Sequence, residues 1–177
     1  MIHAHDPTIR ATALAALARN GAATAADLSN ALADPSPIVR RRVATIVART
    51  WSDVGGQVAL GALLDDADPT VVEVACFAAG ECEPPDPGIV ERLSEIATSH
   101  DDALCRESAV AALGALGDEQ GRDAVLAGCR DKVTVRRRAV LALAAFEGPD
   151  IDAVLTEMAT DVDWQVRQAA EELLAIE

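Results

Sequence analysis

The sequence predicts an all-α protein that folds as a right-handed α-solenoid of about five and a half two-helix repeats. One observation is a short phrase that recurs six times along the chain. Its last residue is Arg10, Arg40, Val72, Arg106, Arg136 and Arg167 in turn. Successive copies are 30, 32, 34, 30 and 31 residues apart. A regular period of this length is typical of stacked repeats.

The kinds of apolar residue support the same fold class. Half of the 177 residues are hydrophobic. Most of these are Ala, Leu and Val, and the chain has only two Phe, two Trp and no Tyr. This composition favours closely packed helices over a sheet of aromatic and β-branched residues.

Apolar spacing within each repeat predicts an inner helix. The residues one before, three after and seven after the end of the phrase are apolar in every copy, for example Cys105, Ala109 and Leu113 in the fourth. Such residues lie on one face of a helix. The predicted inner helices span residues 7–20, 37–50, 69–81, 103–116, 133–146 and 163–176, within a single domain over residues 1–177.

Local signals mark where these helices begin and end. Asp6, Asp68, Asp102 and Asp163 stand where a side-chain oxygen can accept first-turn amides. Pro7, Pro37 and Pro69 suit the first helical position, which needs no amide hydrogen. Asn20-Gly21, Gly117-Asp118 and Gly148-Pro149 are typical of helix ends.

The recurring Asp and Arg residues are interpreted as structural, because the Asp caps a helix and the Arg can bridge to a neighbouring repeat. This set comprises Asp6, Arg10, Arg40, Asp68, Asp102, Arg106, Arg136, Asp163 and Arg167. Val72 and Lys132 depart from the phrase, so the pairing in the third and fifth repeats stays open.

Shorter amphipathic segments between the inner helices predict outer helices. They lie near residues 24–33, 54–65, 88–99, 119–130 and 150–160. Each helical hairpin buries too little apolar surface alone, so neighbouring hairpins must stack.

The phrase from Asp102 to Gly114, and its counterpart from Val133 to Leu143, resemble the HEAT repeat family. They are similar to the short repeats of phycobiliprotein lyase-like (PBS lyase) proteins, whose inner helix begins with Asp-Pro-x-Val-Arg followed by Ala-Val-x-Ala-Leu. The resemblance covers nearly the whole chain. It implies an armadillo-like or HEAT-like superhelix whose inner helices line a concave side. It specifies activity hardly at all, since such arrays serve chiefly as protein-binding scaffolds and a minority are lyases, hydroxylases or DNA-repair enzymes.

Charge and segment composition narrow the function classes. Fifteen basic residues against 29 acidic ones give a net charge of -14, which disfavours binding to nucleic acid or to an anionic membrane. The chain shows neither a signal peptide nor an apolar run of about 18 residues. The sequence therefore predicts a soluble, cytoplasmic protein without a membrane partner.

Side chains that carry chemistry are sparse. Cys76, Cys82, Cys105 and Cys129 lack CxxC spacing and are interpreted as reduced core thiols. The histidines are His3, His5 and His100, and none belongs to a His-Glu pair on a helix. A weak metal site at His3 and His5 is the alternative. The sequence predicts no catalytic residue, no cofactor and no metal site, and hence a binding module rather than an enzyme.

A strip along the concave side is the predicted protein-binding site. It comprises Arg41, Arg42, Thr45, Glu73, Phe77, Glu107, Arg137, Arg138 and Leu141. An apolar floor between basic clusters at residues 40–42 and 136–138 suits an extended or helical peptide with acidic residues. The alternative is that Arg40 and Arg136 pair with Asp residues between repeats and that the remaining Arg side chains are solvated.

The ends and corners of the chain carry further expectations. The first inner helix has no preceding outer helix, which predicts a packing surface or a homodimer contact at that end. Glu171 replaces an apolar residue and predicts a cap at the other end. The linker of residues 81–88, with three prolines, is interpreted as a surface insertion, with a binding loop as the alternative. Trp51 and Trp164 are expected to pack at helix corners.

The leading functional prediction is a non-catalytic scaffold that binds a partner protein or peptide. The first alternative is a lyase-like enzyme, or an enzyme accessory, that handles a chromophore or a modified protein. The second is a nucleic-acid-binding HEAT protein. Glu73, Glu107 and Glu172 interrupt the basic face that this second alternative requires.

Overall fold

The computed structural model describes residues 2–53, 58–82 and 88–176, and every regular element in this part of the chain is a helix. The α-helices are α1 (Pro7–Arg19), α2 (Ala25–Leu32), α3 (Pro37–Arg49), α4 (Gly61–Leu64), α5 (Pro69–Gly80), α6 (Ile89–Ser99), α7 (Ala103–Leu116), α8 (Arg122–Gly128), α9 (Val133–Ala142), α10 (Pro149–Met158) and α11 (Trp164–Leu174). Short 3-10 turns at Glu119–Gly121 and Leu143–Ala145 precede α8 and follow α9. The predicted all-α class is confirmed.

The chain divides into two compact units, Met1–Asp86 and Pro87–Glu177, here called the N-terminal and C-terminal units. In the N-terminal unit α3 packs between α1 and α5, while α2 packs on α3 and α4 on α5. In the C-terminal unit α9 packs between α7 and α11, while α6 packs on α7, α8 on α7 and α9, and α10 on α11. Stacked helical hairpins of this kind are the building pattern of an α-solenoid. The prediction of a single domain stays a prediction.

The inner helices are the odd-numbered ones, and their ends follow local chemistry. The α7 helix begins where Asp102 accepts a hydrogen bond from the Leu104 amide, and it ends at Gly117, whose φ of 61° is left-handed. The α9 helix ends at Ala142, earlier than predicted, because the chain tightens into the 3-10 turn that follows. The α11 helix begins at Trp164, since Asp163 is its cap.

Four outer helices lie within the predicted segments or close to their limits. The fifth, predicted over residues 54–65, is described only as α4, because residues 54–57 lie outside the described part of the chain. Residues 83–87 of the proline-rich linker also lie outside it. No helix in the described ranges is long and apolar enough to cross a bilayer.

The core is aliphatic and runs along the buried faces of the inner helices. Val39, Val43 and Val47 of α3 are at most 2% exposed. All four cysteines are buried as reduced thiols outside any disulfide, as predicted. Burial raises the pKa of the Cys129 thiol to about 12, so this thiol is a core group rather than a nucleophile.

The two tryptophans differ from each other. Trp51 is half-buried. Trp164 is 60% exposed, so its predicted packing at a corner is wrong. It occupies the first position of α11, where the side chain projects away from the buried residues Val166 and Ala170.

Two inner helices of the C-terminal unit approach each other very closely. A Cβ atom at Gly114 of α7 would lie 2.5 Å from the Cβ atom and 2.8 Å from the Cα atom of Ala142 in α9. A Cβ atom at Gly128 of α8 would lie 3.1 Å from the Cβ atom of Ala139. Only glycine therefore fits at position 114 without moving the two helices apart.

Candidate functional site

Arginines in the first turns of four inner helices link each repeat to the loop before the next. Arg10 donates from Nε and Nη2 to the two carboxylate oxygens of Asp34, both at 2.7 Å. Its Nη1 donates to the carbonyl oxygens of Ala4 and His5 at 2.9 and 2.8 Å. The same bidentate geometry joins Arg40 to Asp66, Arg106 to Asp131 and Arg136 to Asp161. These four pairs are called the inter-repeat links.

The acceptor of each link also orders the loop in which it stands. Asp34, for example, accepts the Ser36 amide at 2.9 Å in addition to the guanidinium of Arg10. The hydrogen bond from the arginine, and after it the bond from the backbone amide, lower the pKa of the acceptor in all four links: Asp34, Asp66, Asp131 and Asp161. The recurring phrase predicted a bridge from each arginine but not the residue that accepts it. The available signal was an Asp that stands one or two residues before the cap of the next inner helix, as Asp34 stands two residues before Ser36.

The capping aspartates are separate residues with a separate role. Asp6, Asp68, Asp102 and Asp163 each accept an amide of the first turn that follows. In the sixth repeat Arg167 donates to the carbonyl oxygens of Asp161 and Val162. It forms no ion pair among the described residues. These groups stabilise helix starts and loops.

The third repeat lacks the link at both of its positions. Val72 stands at the register of the arginines and is buried. His100 stands two residues before the cap Asp102, at the register of the acceptor carboxylates. Its Nδ1 accepts the Asp102 amide at 3.0 Å, which retains the loop hydrogen bond without the negative charge. Both charges of the link are therefore replaced together.

In the N-terminal unit the predicted site residues lie on α3 and α5. Arg41 and Arg42 are exposed and form no ion pair within the described ranges. The Thr45 hydroxyl donates to the Arg41 carbonyl oxygen at 3.1 Å. Glu73 is half-buried, and Phe77 is 58% exposed. An exposed phenylalanine on a helix whose other face is core is a feature of a contact surface.

Two depressions flank α3 on this side. The first, of about 220 Å³, lies between α1 and α3 and is lined by Ala15, Ala18, Arg19, Arg42, Thr45, Ile46, Arg49 and Thr50. The second, of about 410 Å³, lies between α3 and α5 and is lined by Pro37, Ile38, Arg41, Arg42, Thr45, Thr70 and Val74. Arg42 and Thr45 line both, so the two depressions are neighbours. They are called the arginine grooves.

Arg19 and Arg49 are site residues that sequence analysis missed. Each stands in the last turn of its helix, where a basic residue also complements the helix dipole, so neither attracts notice alone. The signal was their shared register, nine residues after Arg10 and Arg40. Both are exposed, and neither forms an ion pair in the part of the chain that the structure describes.

The predicted site residues of the C-terminal unit have a different environment. Arg137 donates from Nε to Asp163 at 2.9 Å and from Nη2 to the second carboxylate oxygen. This pairing lowers the pKa of Asp163 to about 2. Arg138 lies 3.7 Å from Glu107. The basic groups predicted here are therefore already paired with carboxylates.

Leu141 is 53% exposed beside a shallow depression of the C-terminal unit. The depression has a volume of about 370 Å³ and is lined by Ala111, Gly114, Ala115, Arg138, Leu141, Ala142, Ala144 and Ala145. Its floor is small and apolar. Each unit thus carries its own part of the predicted strip, and the continuous strip of nine residues stays a prediction.

Comparison with known proteins places this arrangement in a family. The profile of the HEAT repeats matches residues 57–134 and 90–175, which overlap and together cover more than half of the chain. None of the curated proteins with which the chain was compared is significantly similar to it in sequence.

Solved structures show the same fold at low identity. A crystal structure of an engineered protein has a TM-score of 0.71 and 20% identity, over 98% of this chain and 94% of that one. The X-ray structure of YibA from E. coli has a TM-score of 0.72 and 20% identity, over 98% and 67%. A designed armadillo repeat protein in complex with the peptide (KR)4 has a TM-score of 0.67 and 17% identity, over 98% and 95%. The likeness shows the solenoid fold alone.

Proposed function

Since this chain belongs to the HEAT repeat family, we propose that it is a non-catalytic scaffold that binds a partner protein or peptide on the exposed side of its inner helices. The observation that carries this proposal is the combination of exposed Phe77 with the arginine grooves in the N-terminal unit. An aromatic side chain and several guanidinium groups are the residue types that contribute most to protein-binding surfaces.

The fold supports the proposal in a second way. Stacked inner helices present side chains at a regular spacing, which suits a partner that contacts several repeats in succession. A designed armadillo repeat protein of similar fold was solved in complex with a peptide. The period of about 31 residues is shorter than that of long HEAT units, and we propose the short phycobiliprotein lyase-like subtype for the chain.

Site-specific photo-crosslinking tests the proposal. A photoreactive benzoyl-phenylalanine at position 77 keeps the phenyl ring and extends it by a benzoyl group, which this 58% exposed position can accommodate. The matched control carries the same group at Ser29, which is exposed on the outer helix α2 of the same unit. Irradiation in the source cells, followed by mass spectrometry, identifies the adducts.

We expect a specific protein adduct at position 77 and none of that protein at position 29. Absence of any protein adduct at position 77, or the same adducts at both positions, would overturn the proposed function.

A further inference from the structure

We infer that the arginine grooves bind an extended acidic segment of the partner protein, whose carboxylates pair with Arg19, Arg41, Arg42 and Arg49. This inference rests on the proposed function and adds the chemistry and the place of the bound segment. It assigns the acidic partner to the N-terminal unit alone, through a set of arginines that includes two missed by sequence analysis.

The first step of the argument is the behaviour of the other arginines in this chain. Arg10, Arg40, Arg106, Arg136 and Arg137 each bind an aspartate through two parallel hydrogen bonds. The guanidinium fork matches a carboxylate in this geometry. Within the described ranges the four groove arginines have no such partner, although the chain carries a net charge of -14. An acidic partner segment supplies the missing carboxylates.

The second step is spacing. Arg42 and Arg49 are seven residues apart on α3, which is about 10 Å along a helix that rises 1.5 Å per residue. Arg19 and Arg49 share a register on the packed helices α1 and α3, whose axes in such packing are about 8–10 Å apart. An extended chain in the polyproline II conformation advances about 3.1 Å per residue and has three residues per turn, so every third side chain lies on the same face. Acidic residues about three positions apart therefore reach successive arginines.

The third step is the floor of the grooves. Ala15, Ala18 and Ile46 are apolar, and Thr45 and Thr50 add hydroxyl groups. Small side chains leave room for a peptide backbone between the arginines. Both Thr hydroxyls donate to carbonyl oxygens of α3 and keep lone pairs that can accept amide hydrogens of that backbone.

The same observations disfavour nucleic acid as the ligand. A phosphate backbone binds through many basic contacts, and each contact adds to the salt dependence of binding. Here the four arginines stand in an acidic chain, and the carboxylate of Glu73 lies on α5, the helix that forms one wall of the second groove. A short acidic peptide contacts only the arginines of the grooves and is too short to extend over the acidic remainder of the chain.

Fluorescence anisotropy with defined probes tests the inference on the full chain. The acidic probe is a labelled peptide of about twelve residues that repeats Glu-Ala-Leu. The comparison probes are the same peptide with Lys in place of Glu and a single-stranded DNA of similar length. The groove variant is Arg41→Gln/Arg42→Gln. The control variant, Arg130→Gln/Lys132→Gln, makes the same charge change on exposed residues of the C-terminal unit. Circular dichroism confirms that both variants are folded.

We expect the wild type to bind the Glu peptide and not the Lys peptide. The groove variant should bind it about tenfold more weakly, because two charge-assisted hydrogen-bonding groups are lost. The control variant should stay within about twofold, because only the long-range field changes there.

Four results with the purified protein would overturn the inference. The first is that the wild type does not bind the Glu peptide, and the second is that both variants lose the same affinity for it. The third is that the wild type binds the DNA more tightly than the Glu peptide and that the groove variant abolishes DNA binding. The fourth is salt-sensitive self-association of the protein through the grooves. A protein adduct at position 77 whose crosslinked segment carries no acidic residues would also overturn it. That last result would leave the proposed function standing.

Discussion

The N-terminal and C-terminal units use their arginines differently. In the N-terminal unit Arg10 and Arg40 form inter-repeat links, while four further arginines form no ion pair among the described residues: Arg19, Arg41, Arg42 and Arg49. In the C-terminal unit most basic residues are paired with carboxylates: Arg92, Arg106, Arg122, Arg130, Arg136, Arg137 and Arg138.

This difference distinguishes arginines with a structural role from arginines that are available for recognition. Position alone makes Arg41 and Arg137 equivalent, since each stands one residue after a linking arginine. Their partners make them different, because Arg137 is held by Asp163 and Arg41 has no carboxylate within the described ranges. The pairing of an arginine, rather than its place in the repeat, indicates which ones are available to a partner.

The largest expected effect concerns the close helix contact of the C-terminal unit. Gly114→Val should destabilise the protein by about 3 kcal/mol, because its side chain meets the backbone of Ala142 and separates α7 from α9. The matched variant Ala48→Val stands at the same register in α3 and should cost less. Urea unfolding and hydrogen exchange measure the two. Equal costs would show that the C-terminal contact is no tighter than its N-terminal counterpart.

The next effect contrasts two adjacent arginines of α3. Arg40→Gln should lower the free energy of unfolding by about 2 kcal/mol, since it leaves the Asp66 carboxylate, only 6% exposed, without its guanidinium. Arg41→Gln should change it by less than about 0.5 kcal/mol, because its side chain is solvated. Thermal and urea denaturation measure both variants. A cost for Arg41→Gln close to that for Arg40→Gln would contradict the distinction between linked and free arginines.

Acid should reduce the stabilisation by the inter-repeat links. The pKa of Asp66 is lowered by Arg40, so the unfolded protein binds more protons than the folded one near the ordinary aspartate pKa of about 3.9. The stabilisation is complete above that value and is lost as the pH falls through the pKa of the folded state. The stability difference between wild type and Arg40→Gln should therefore shrink below about pH 4, as measured by urea unfolding. A difference that is constant with pH would count against the link.

The smallest expected effect is a gain of function in the C-terminal unit. Asp163→Asn keeps a residue that caps helices well but removes the carboxylate that holds Arg137. In the Arg41→Gln/Arg42→Gln background it should raise the affinity for the Glu peptide about twofold, because Arg137 becomes available to the peptide. Asp123→Asn, an exposed residue of α8, makes the same charge change as a control. The anisotropy assay measures the affinity of both variants. An affinity no higher than that of the control would contradict the view that pairing with Asp163 makes Arg137 unavailable.

Much of the fold was predictable because each repeat carries its own local signals. Asp102 caps α7 and Gly117 ends it, and both are visible within one copy of the phrase. The acceptors of the inter-repeat links were not predictable from the phrase. Asp34 stands 24 residues after Arg10, outside the copy to which the arginine belongs. Pairing across that distance depends on how the hairpins stack.

The site was predicted less well for the same reason. Exposure of Phe77 follows from helical periodicity, so the sequence indicated it. The charge of Arg137 is neutralised by Asp163, which was predicted only as a helix cap. The Asp163 carboxylate both caps α11 and binds Arg137. Trp164 was misplaced because its position at a helix start does not specify which side it faces.

The paired replacement at Val72 and His100 limits how repeats of this chain can be exchanged. An arginine in one repeat is completed by an aspartate that precedes the next, as Arg40 is by Asp66. The exchangeable module therefore runs from an arginine to the following aspartate, not from one phrase to the next. A graft of α5 in place of α3 would put Val72 opposite Asp66 and leave that carboxylate without a guanidinium. Duplication or design of new repeats from this chain should copy whole arginine-to-aspartate modules.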